Sequence, residues 1–430
     1  MREQPAKGKA RGRAGRRAGG GAVFVGMDVG TGAVVTGDAD GDRPSEFAPR
    51  RLGEFLRRTP EQVESLVLAV PDSWFDGDGD GVARREALYG ELIAQLGLPL
   101  RQFVPQTVAA TAFGVQDAPA AGPDRLVLRI GTDEVGAGLC RVSGPSVGLV
   151  ATESRPVSGH GAELVAIARA HRDAGSDRGR RAALLLARAR TFPRYRTAPV
   201  HACETAEGRR TMTAGAVIDD FETVAEALRA TVTGLLDRCP PGPGPSAEHR
   251  VLVSGDLNAH PLTLVAVRDS LGEPTPEPGP QVLDPHATAL GALRIAQGVV
   301  RAPETARHSL TLFAHRLRRG RPAEVRIPLT VTGAAVPMTV TDGGEPLTVD
   351  VPTAGGFRVG IDVQEYGQGP HRALELPCPG LPAGSAQVGL HPAGTGFGVL
   401  VFRPVGGGES VLLPLGGPVG RGVTTTEAGR

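Results

Sequence analysis

Two glycine-rich turns that follow apolar strands are the part of this sequence best suited to chemistry. VFVGMDVGTG spans residues 23–32, and LRIGTDEVGAG repeats the same strand-turn-strand theme from residue 128. Backbone amides in turns of this kind bind phosphate groups. Two related α/β halves can close around a ligand and offer both turns to it. The amides of Gly30, Thr31, Gly32, Gly131 and Thr132 are therefore candidates to bind a phosphate-bearing ligand, with an ordinary β-hairpin as the alternative interpretation of the first turn.

Composition limits the classes of function. The 430 residues are 40% apolar with a net charge of +1, which is enough for two or three cores and gives the whole chain no preference for nucleic acid. The four cysteines form no CxxC pair, so neither a zinc site nor a disulfide framework is predicted. No secretory signal or run of about 18 apolar residues is found, so a cytoplasmic protein without membrane contact is expected.

The first 21 residues carry seven basic side chains against the single acid Glu3, with Gly and Ala between them. This composition predicts a disordered arm. Because the arm has no aromatic residue for stacking on bases, a solvated tail is favoured over contact with RNA, DNA or anionic lipid.

Hydrophobic periodicity defines the expected elements. A β-hairpin is predicted over 22–36, and the Arg-rich stretch 43–65 is expected to be partly helical. Helices are predicted at 82–96, 161–172, 178–191, 217–238, 261–271 and 284–298, the last with small residues that allow close packing. The predicted organisation is a basic arm (1–21), an α/β nucleotide-binding domain (22–300), a linker (301–321), an antiparallel β-sandwich (322–418) and a disordered tail (419–430).

The order of these segments resembles the seventy-kilodalton heat-shock chaperones of the DnaK type. GMDVGTG at 26–32 is similar to the family's first phosphate turn, G-I-D-L-G-T-T, and VPDSWF at 70–75 to its V-P-A-Y-F. DPHATALGA at 284–292 is similar to the family's closing helix, P-D-E-A-V-A-x-G-A, and residues 375–402 to its sandwich. The resemblance covers residues 22–418 and implies a two-lobed actin-like ATPase core followed by a peptide-binding sandwich.

The resemblance implies a site for ATP or ADP with Mg²⁺. Asp28 is the nearby acid left to serve as a metal ligand. In the family's pattern SGHGAEL at 158–164 forms a further turn, VLVSGD at 251–256 flanks the adenosine, and Arg190 stacks on the base. The cofactor-binding residues it implies are Asp28, Gly30, Thr31, Gly32, Gly131, Thr132, Gly159, Gly161, Arg190, Gly255 and Asp256. The alternative is that these are ordinary turn glycines and a surface arginine. The implied partners are unfolded or extended protein segments and a co-chaperone, in a stress response.

The chain departs from the family where hydrolysis depends on it. Arg129 stands in place of a carboxylate on the second phosphate strand, and Pro105 or Gln106 in place of a glutamate. A phosphate-binding lysine is excluded because Lys7 and Lys9 are the only lysines. A guanidinium cannot chelate Mg²⁺ or accept a proton, so no catalytic residue is assigned and weak or lost ATPase activity is expected. The family's helical lid has no counterpart after residue 418.

Two other motifs are interpreted without a ligand. DGDGDG at 76–81 matches the first half of a calcium loop through Asp76, Asp78 and Asp80, but Ala87 stands at the twelfth position, which argues against calcium. His160 lies between two glycines with no nucleophile paired to it, so a turn residue is favoured over a catalytic one.

Three hypotheses follow. The first is a lidless heat-shock-type chaperone that binds ATP with weak or lost hydrolysis and holds extended segments on its sandwich. The second is a pseudo-ATPase scaffold that binds no nucleotide. The third, an active kinase of the same fold, is disfavoured because a sandwich is extraneous to a kinase. Whether Arg129 projects into the phosphate position or turns towards Asp28 or Asp133 distinguishes the first two.

Overall fold

The computed structural model describes residues 23–37, 45–47, 63–75, 79–95, 98–115, 124–157, 161–172, 177–205, 208–238, 250–272, 279–302, 308–318, 321–331, 336, 338–351, 357–365, 371–378, 380–391 and 397–415. The predicted arm and tail lie outside these ranges. Within them the chain is mixed α/β and contains seven α-helices. Their bounds are α1 Gly79–Tyr89, α2 Gln106–Gly114, α3 Gly161–Arg172, α4 Asp177–Thr191, α5 Ala214–Arg238, α6 Thr263–Leu271 and α7 Ala287–Ala296. None of them is long and apolar enough to cross a membrane.

Two five-stranded sheets repeat one topology. The strand order is β3-β2-β1-β4-β5 in the first sheet and β8-β7-β6-β11-β12 in the second. In each sheet the first three strands of this order pair antiparallel with their neighbours, and the last two run parallel to the third, which is the central strand. The first sheet is formed by β1 Val23–Asp28, β2 Ala33–Gly37, β3 Ser45–Phe47, β4 Val63–Val70 and β5 Leu100–Pro105. The second is formed by β6 Arg125–Ile130, β7 Glu134–Ser143, β8 Ser146–Pro156, β11 Arg250–Ser254 and β12 Gln281–Val282.

The apolar strands β4 and β6 are buried from end to end or nearly so, as expected for strands covered by helices on their faces. α3, α5 and α6 pack on the second sheet in one core cluster, together with buried residues of α4. α2 and α7 lie in another cluster that joins residues of both sheets. A separate hairpin is formed by β9 Pro199–Thr205 and β10 Gly208–Thr213.

Helix α7 makes backbone contact on two sides. A Cβ added to Gly291 would overlap the carbonyl oxygen of Ala109 in α2, and a Cβ added to Gly26 of β1 would overlap the backbone of Leu293 and Ala289. The predicted close packing of this small-residue helix is therefore confirmed. It depends on two glycines that allow backbones to approach where any side chain would separate them.

The C-terminal strands form two four-stranded antiparallel sheets that share one hydrophobic core. We call them the C-terminal sheet pair. One sheet contains β13 His308–Arg318, β14 Arg321–Thr330, β18 Phe357–Glu365 and β19 His371–Cys378. The other contains β17 Thr348–Val351, β20 Gly384–His391, β21 Val399–Pro404 and β22 Val411–Pro414. A short ladder, β15 Thr341–Asp342 with β16 Glu345–Pro346, precedes β17.

Two expectations about secondary structure need correction. Residues 308–318 of the predicted linker form β13, because Leu310 and Leu312 alternate with polar residues and are buried in the shared core. In the Arg-rich stretch 43–65 the described ends belong to β3 and the start of β4, and the rest, to which the predicted partial helix would belong, lies outside the described residues. The helix predicted at 82–96 begins earlier, and after Tyr89 it continues as a π-helical turn through Gly90–Gln95.

A buried ionic cluster joins α1 to the C-terminal sheet pair. Glu86 of α1 accepts hydrogen bonds from Arg403 Nε at 2.6 Å, His391 Nε2 at 2.9 Å and Ser410 Oγ at 3.0 Å. The side chains of Glu86 and Arg403 are only 7% and 12% exposed. Burial raises the pKa of Glu86, but the hydrogen bonds from His391 and Arg403 outweigh it and hold the pKa at about 2. We call this set the Glu86 cluster.

Further contacts extend the same interface. The Arg403 guanidinium lies 4.4 Å from the centre of the Tyr89 ring and donates to the carbonyl of Met338 at 3.1 Å. The Tyr89 hydroxyl is 2.9 Å from Thr339 Oγ1, and Met338 packs against the core cluster of the first sheet. The sheet pair is thus held to α1 by charge, cation–π and apolar contacts together.

Candidate functional site

The candidate site lies where the parallel strands of both sheets end. β1, β4 and β5 run parallel, so their carboxyl ends meet at one edge of the first sheet. Asp28 closes β1, Asp72 follows β4, and Gln106 follows β5. All three side chains are buried. Polar residues are thus gathered at this edge by the topology of the sheet.

The first turn is closed by its own aspartate. Asp28 Oδ1 accepts a hydrogen bond from the Gly30 amide at 3.0 Å, and Oδ2 accepts one from the Thr31 hydroxyl at 3.0 Å. Gln106 Nε2 also donates to Asp28 Oδ1. Gly32 adopts a φ of 71°, the left-handed region that glycine favours, and allows the chain to turn into β2. Both Asp28 oxygens therefore already have partners within the protein.

The Arg129 guanidinium lies against the first turn. A Cβ placed on Gly30 would be 2.5 Å from Arg129 Nη2 and 2.5 Å from Gln106 Nε2, so these two side chains lie directly against the turn. Arg129 reaches this point from β6, where it pairs with Gly136 of β7, and a Cβ on Gly136 would lie 3.3 Å from Asp72 Oδ2 and 3.9 Å from Arg129 Cβ. The arginine is 6% exposed. The guanidinium therefore occupies the space directly beside the first turn.

Two carboxyl groups lie near the arginine, the buried Asp72 and the half-buried Glu134. Asp72 Oδ1 accepts hydrogen bonds from the Thr107 hydroxyl at 3.0 Å and the Thr107 amide at 3.3 Å, while its Oδ2 has no partner in the described structure. Burial raises the pKa of Asp72 to about 7, against the opposing effects of Thr107 and Arg129. Glu134 Oε2 accepts a hydrogen bond from Ser73 at 2.8 Å. Arg129 is therefore surrounded by carboxyl groups from both sheets.

The second turn and the turn after β11 lie next to each other, close to Arg129. The Gly131 amide donates to the carbonyl of Glu134 at 3.1 Å, so this amide serves the protein's own turn. Gly255 has a φ of 97°, and a Cβ on it would be 2.5 Å from the carbonyl oxygen of Ile130. Asp256 follows, with a pKa raised by burial, near the charges of Arg129 and Asp28. A Cβ on Gly161 would lie 2.6 Å from Cβ of Thr132, so these two residues are in contact as well.

The remaining predicted residues do not join this group. Arg190 is an exposed residue of α4 that pairs with Asp269 at 3.4 Å, and no described contact connects it to the turns. Gly159 and His160 lie outside the described residues, as do Asp76 and Asp78. Asp80 is exposed in the first turn of α1, where an acidic side chain complements the helix dipole.

The donors do not suit a metal ion. Asp28 is the predicted metal ligand, and both of its oxygens accept hydrogen bonds from Gly30, Gln106 and Thr31. A positive guanidinium lies beside the same turn. Among the described residues no group of three or more His, Cys, Asp or Glu side chains is arranged to hold a metal. We derive no reaction step through Mg²⁺.

Two residues of this site, Asp72 and Thr107, were not identified from the sequence. A signal for Asp72 exists in hindsight: it stands directly after the buried strand β4, next to the parallel strand that ends at Asp28. The reach of Thr107 to Asp72 depends on how α2 begins immediately after β5, which no local pattern specifies.

Comparison with known proteins adds no assignment. Neither the protein-family models nor the curated proteins give a significant match to this sequence.

Asp72 makes stability depend on pH. A carboxyl group whose pKa rises from 3.8 unfolded to about 7 folded favours the folded state only while it is protonated, so stability declines as pH rises from about 4 to about 7. Asp72→Asn keeps an acceptor for Thr107 without the charge. We expect it to raise the free energy of unfolding at pH 8 by up to about 4 kcal/mol and to change little at pH 4.

Urea unfolding of both proteins at each pH measures this effect. Asp80→Asn, which removes an exposed carboxylate that complements the dipole of α1, is the control: it should lower the free energy of unfolding at pH 8 by less than about 1 kcal/mol and should not raise it at either pH. Equal destabilisation by Asp72→Asn at pH 4 and pH 8 would contradict a protonated Asp72.

Proposed function

We propose that this protein is a nucleotide-independent scaffold of the heat-shock-chaperone type. In this proposal an actin-like core of two lobes supports a lidless β-sandwich, the C-terminal sheet pair, which binds extended protein segments. The core would serve as a structural support and protein-interaction surface, with ATPase activity lost.

The observation that carries the proposal is the position of Arg129. Its guanidinium lies against Gly30, at the point where the first turn would receive a phosphate. The amides of Gly30 and Gly131 are directed to Asp28 and to the Glu134 carbonyl. In this proposal the arginine occupies the position of the anion, and these turn amides already donate hydrogen bonds within the protein. Such a site has few free donors for the phosphates of a nucleotide.

The chemistry of hydrolysis is also missing from the site. Phosphoryl transfer needs a metal that neutralises the developing charge and an acceptor that orients the attacking water. Arg129 cannot hold Mg²⁺, and Gln106 donates its amide to Asp28 rather than facing an open space. These features support a loss of catalysis independently of whether a nucleotide binds.

The topology supports the rest of the proposal. Two sheets of the same strand order and directions, with glycine turns at corresponding strand ends, are consistent with the duplicated halves of an actin-like core. The sheet pair has the strands and shared core of a sandwich, and its edge strands leave backbone groups available for an added strand. The Glu86 cluster fixes this sandwich to α1, as a scaffold requires.

A second candidate is favoured by one observation. Arg129 is nearly buried, yet no described residue accepts a hydrogen bond from its guanidinium. A buried cation of this kind can pair with a phosphate oxygen. The second candidate is therefore a nucleotide-binding chaperone without ATPase activity, in which Arg129 holds the phosphates.

Calorimetric titration with ATP and Mg²⁺ separates the two. We expect no heat and no thermal stabilisation at millimolar ATP, because a ligand that binds only the folded state would raise Tm by an amount that grows with the logarithm of its concentration relative to Kd. An unstructured apolar peptide, followed by fluorescence anisotropy, should bind with the same Kd with and without ATP.

Arg129→Ala and Arg141→Ala complete the test. Arg141 is an exposed arginine of β7 paired with Asp124, so its removal controls for lost charge. If the wild type binds ATP and only Arg129→Ala weakens it, the second candidate is correct. Any change of peptide affinity on adding ATP would overturn nucleotide independence.

A further inference from the structure

The segment from α4 to the following turn is strongly basic. Residues 177–196 contain seven arginines and one acid, Asp177. Arg181 and Arg188 lie on the exposed face of α4, and Arg194 is exposed in the 3₁₀ turn Pro193–Tyr195 that follows. We call Arg181, Arg188, Phe192, Arg194 and Tyr195 the α4 surface.

Aromatic rings lie between these arginines. The Arg194 guanidinium is 5.6 Å from the centre of the Phe192 ring and 5.0 Å from that of Tyr195, and the Arg188 guanidinium is 6.0 Å from the Tyr195 ring. The Phe192 and Tyr195 rings meet edge to face at 6.3 Å. Phe192 is 48% exposed, which is unusual for a side chain that gains most from burial.

Three arginines of this surface have no acidic partner among the residues that the structure describes. Arg190 and Arg196, at its margins, pair with Asp269 and Asp219. In contrast, no described acidic side chain lies within ion-pair distance of Arg181, Arg188 or Arg194. Arg181, Arg188 and Arg194 therefore remain available for an anionic partner.

We infer that the α4 surface binds single-stranded nucleic acid. A single strand offers phosphates to the arginines and unpaired bases to an exposed ring, and this combination of basic and aromatic side chains is the one that sequence-tolerant binders use. A membrane surface or an acidic peptide would use the charge but has no base to stack on Phe192. Duplex DNA keeps its bases stacked within the helix, so it also leaves the ring unused.

Anisotropy of a labelled single-stranded RNA of mixed sequence, titrated with the full chain, measures this interaction. We expect Arg181→Glu/Arg188→Glu/Arg194→Glu to weaken binding at least tenfold. The slope of log K against log salt should fall by about 2, because each phosphate contact on a single strand contributes about 0.7. Phe192→Ala should weaken binding about fivefold or more at constant salt dependence.

The control changes the same charge elsewhere. Arg321→Glu/Arg326→Glu/Arg358→Glu reverses three exposed arginines of the C-terminal sheet pair and should keep affinity within about twofold. It also keeps the basic arm, which is present in every variant. Circular dichroism and Tm establish that each variant is folded.

Competition identifies the class of partner. Unlabelled single-stranded RNA should displace the probe, whereas duplex DNA, polyglutamate and vesicles of anionic lipid should displace it at least tenfold less well. The inference is overturned if the triple variant of the α4 surface keeps the wild-type affinity and salt slope, since the arm would then carry the binding. It is also overturned if Phe192→Ala has no effect, or if polyglutamate or vesicles compete as well as RNA.

Discussion

Glu86→Gln is expected to destabilise the protein by about 3 kcal/mol or more, which is a large fraction of the free energy of unfolding of an ordinary domain. Glutamine has nearly the same shape as glutamate but offers a single acceptor oxygen. Arg403, 12% exposed, would keep its charge without a counter-ion. Breaking one side of a buried ion pair costs more than the pair itself contributes, because the remaining charge is left desolvated.

The loss should depend on pH in a defined direction. The pKa of Glu86 is lowered from 4.5 to about 2, so its ionised form stabilises the folded state above pH 4.5, and this contribution disappears as pH falls towards 2. Burial lowers the pKa of His391, so we assign it as a neutral donor. The difference between wild type and Glu86→Gln should therefore be full at pH 7 and vanish near pH 2.

Fluorescence of Trp74, the only tryptophan, can follow the transition, since it packs in the same core cluster as Met338 from the sheet pair. Glu375→Gln is the matched control. It removes a carboxylate that pairs with Arg358 at 3.1 Å on the surface, where both side chains are more than half exposed, and should cost less than about 1 kcal/mol. Equal effects of the two substitutions would show that the Glu86 cluster does not stabilise the interface.

Local patterns in the sequence predicted most of the helices. α3 occupies the residues that its apolar period indicated, and α4 begins one residue before its predicted start. β13 was missed because its charged end obscures the alternation of Leu310 and Leu312. A strand whose second half is basic resembles a linker until its partner strands are known.

The site was predictable only in part. The glycine turns follow from local composition, and Arg129 was noticed in the sequence because the resemblance implies an acid at its position. The direction of the Arg129 side chain was not, because it depends on how close Gly30 of the other sheet lies to β6. A residue on one strand can be identified locally, but the space into which it projects is set by distant segments.

The Glu86 cluster is the clearest case of this limit. Its members are separated by 305 and 317 residues along the chain. Glu86 lies on a helix whose sequence would equally suit a solvent-facing glutamate, and Arg403 ends a strand that would suit an exposed arginine. Since their pairing follows from how α1 meets the sheet pair, only the folded chain reveals it.

Gly291→Ala is expected to cost about 3 kcal/mol or more, and the protein is expected to fold poorly. Alanine is the better helix former by about 1 kcal/mol, so propensity alone predicts stabilisation. Steric overlap acts in the opposite direction. A methyl group at Gly291 would overlap the carbonyl oxygen of Ala109 and lie 2.7 Å from its carbonyl carbon.

This contact cannot relax easily, because both partners are backbone atoms. Moving α7 away from α2 would press it against β1, where Gly26 already meets the backbone of Leu293. Overpacking in a core costs about 1 to 3 kcal/mol when side chains can adjust, and backbone atoms held on two sides adjust less. The steric cost therefore exceeds the gain in helix propensity.

Urea unfolding of Gly291→Ala beside Gly90→Ala decides the point. Gly90 begins the π-helical turn after α1, and a Cβ there would meet no atom within 4 Å. The control has a gain in backbone propensity without the overlap, so it should be neutral or slightly stabilising. If Gly291→Ala had the same free energy of unfolding as Gly90→Ala, α7 could not be in close backbone contact with both β1 and α2. The approach of the two sheets at the candidate site would then need another cause.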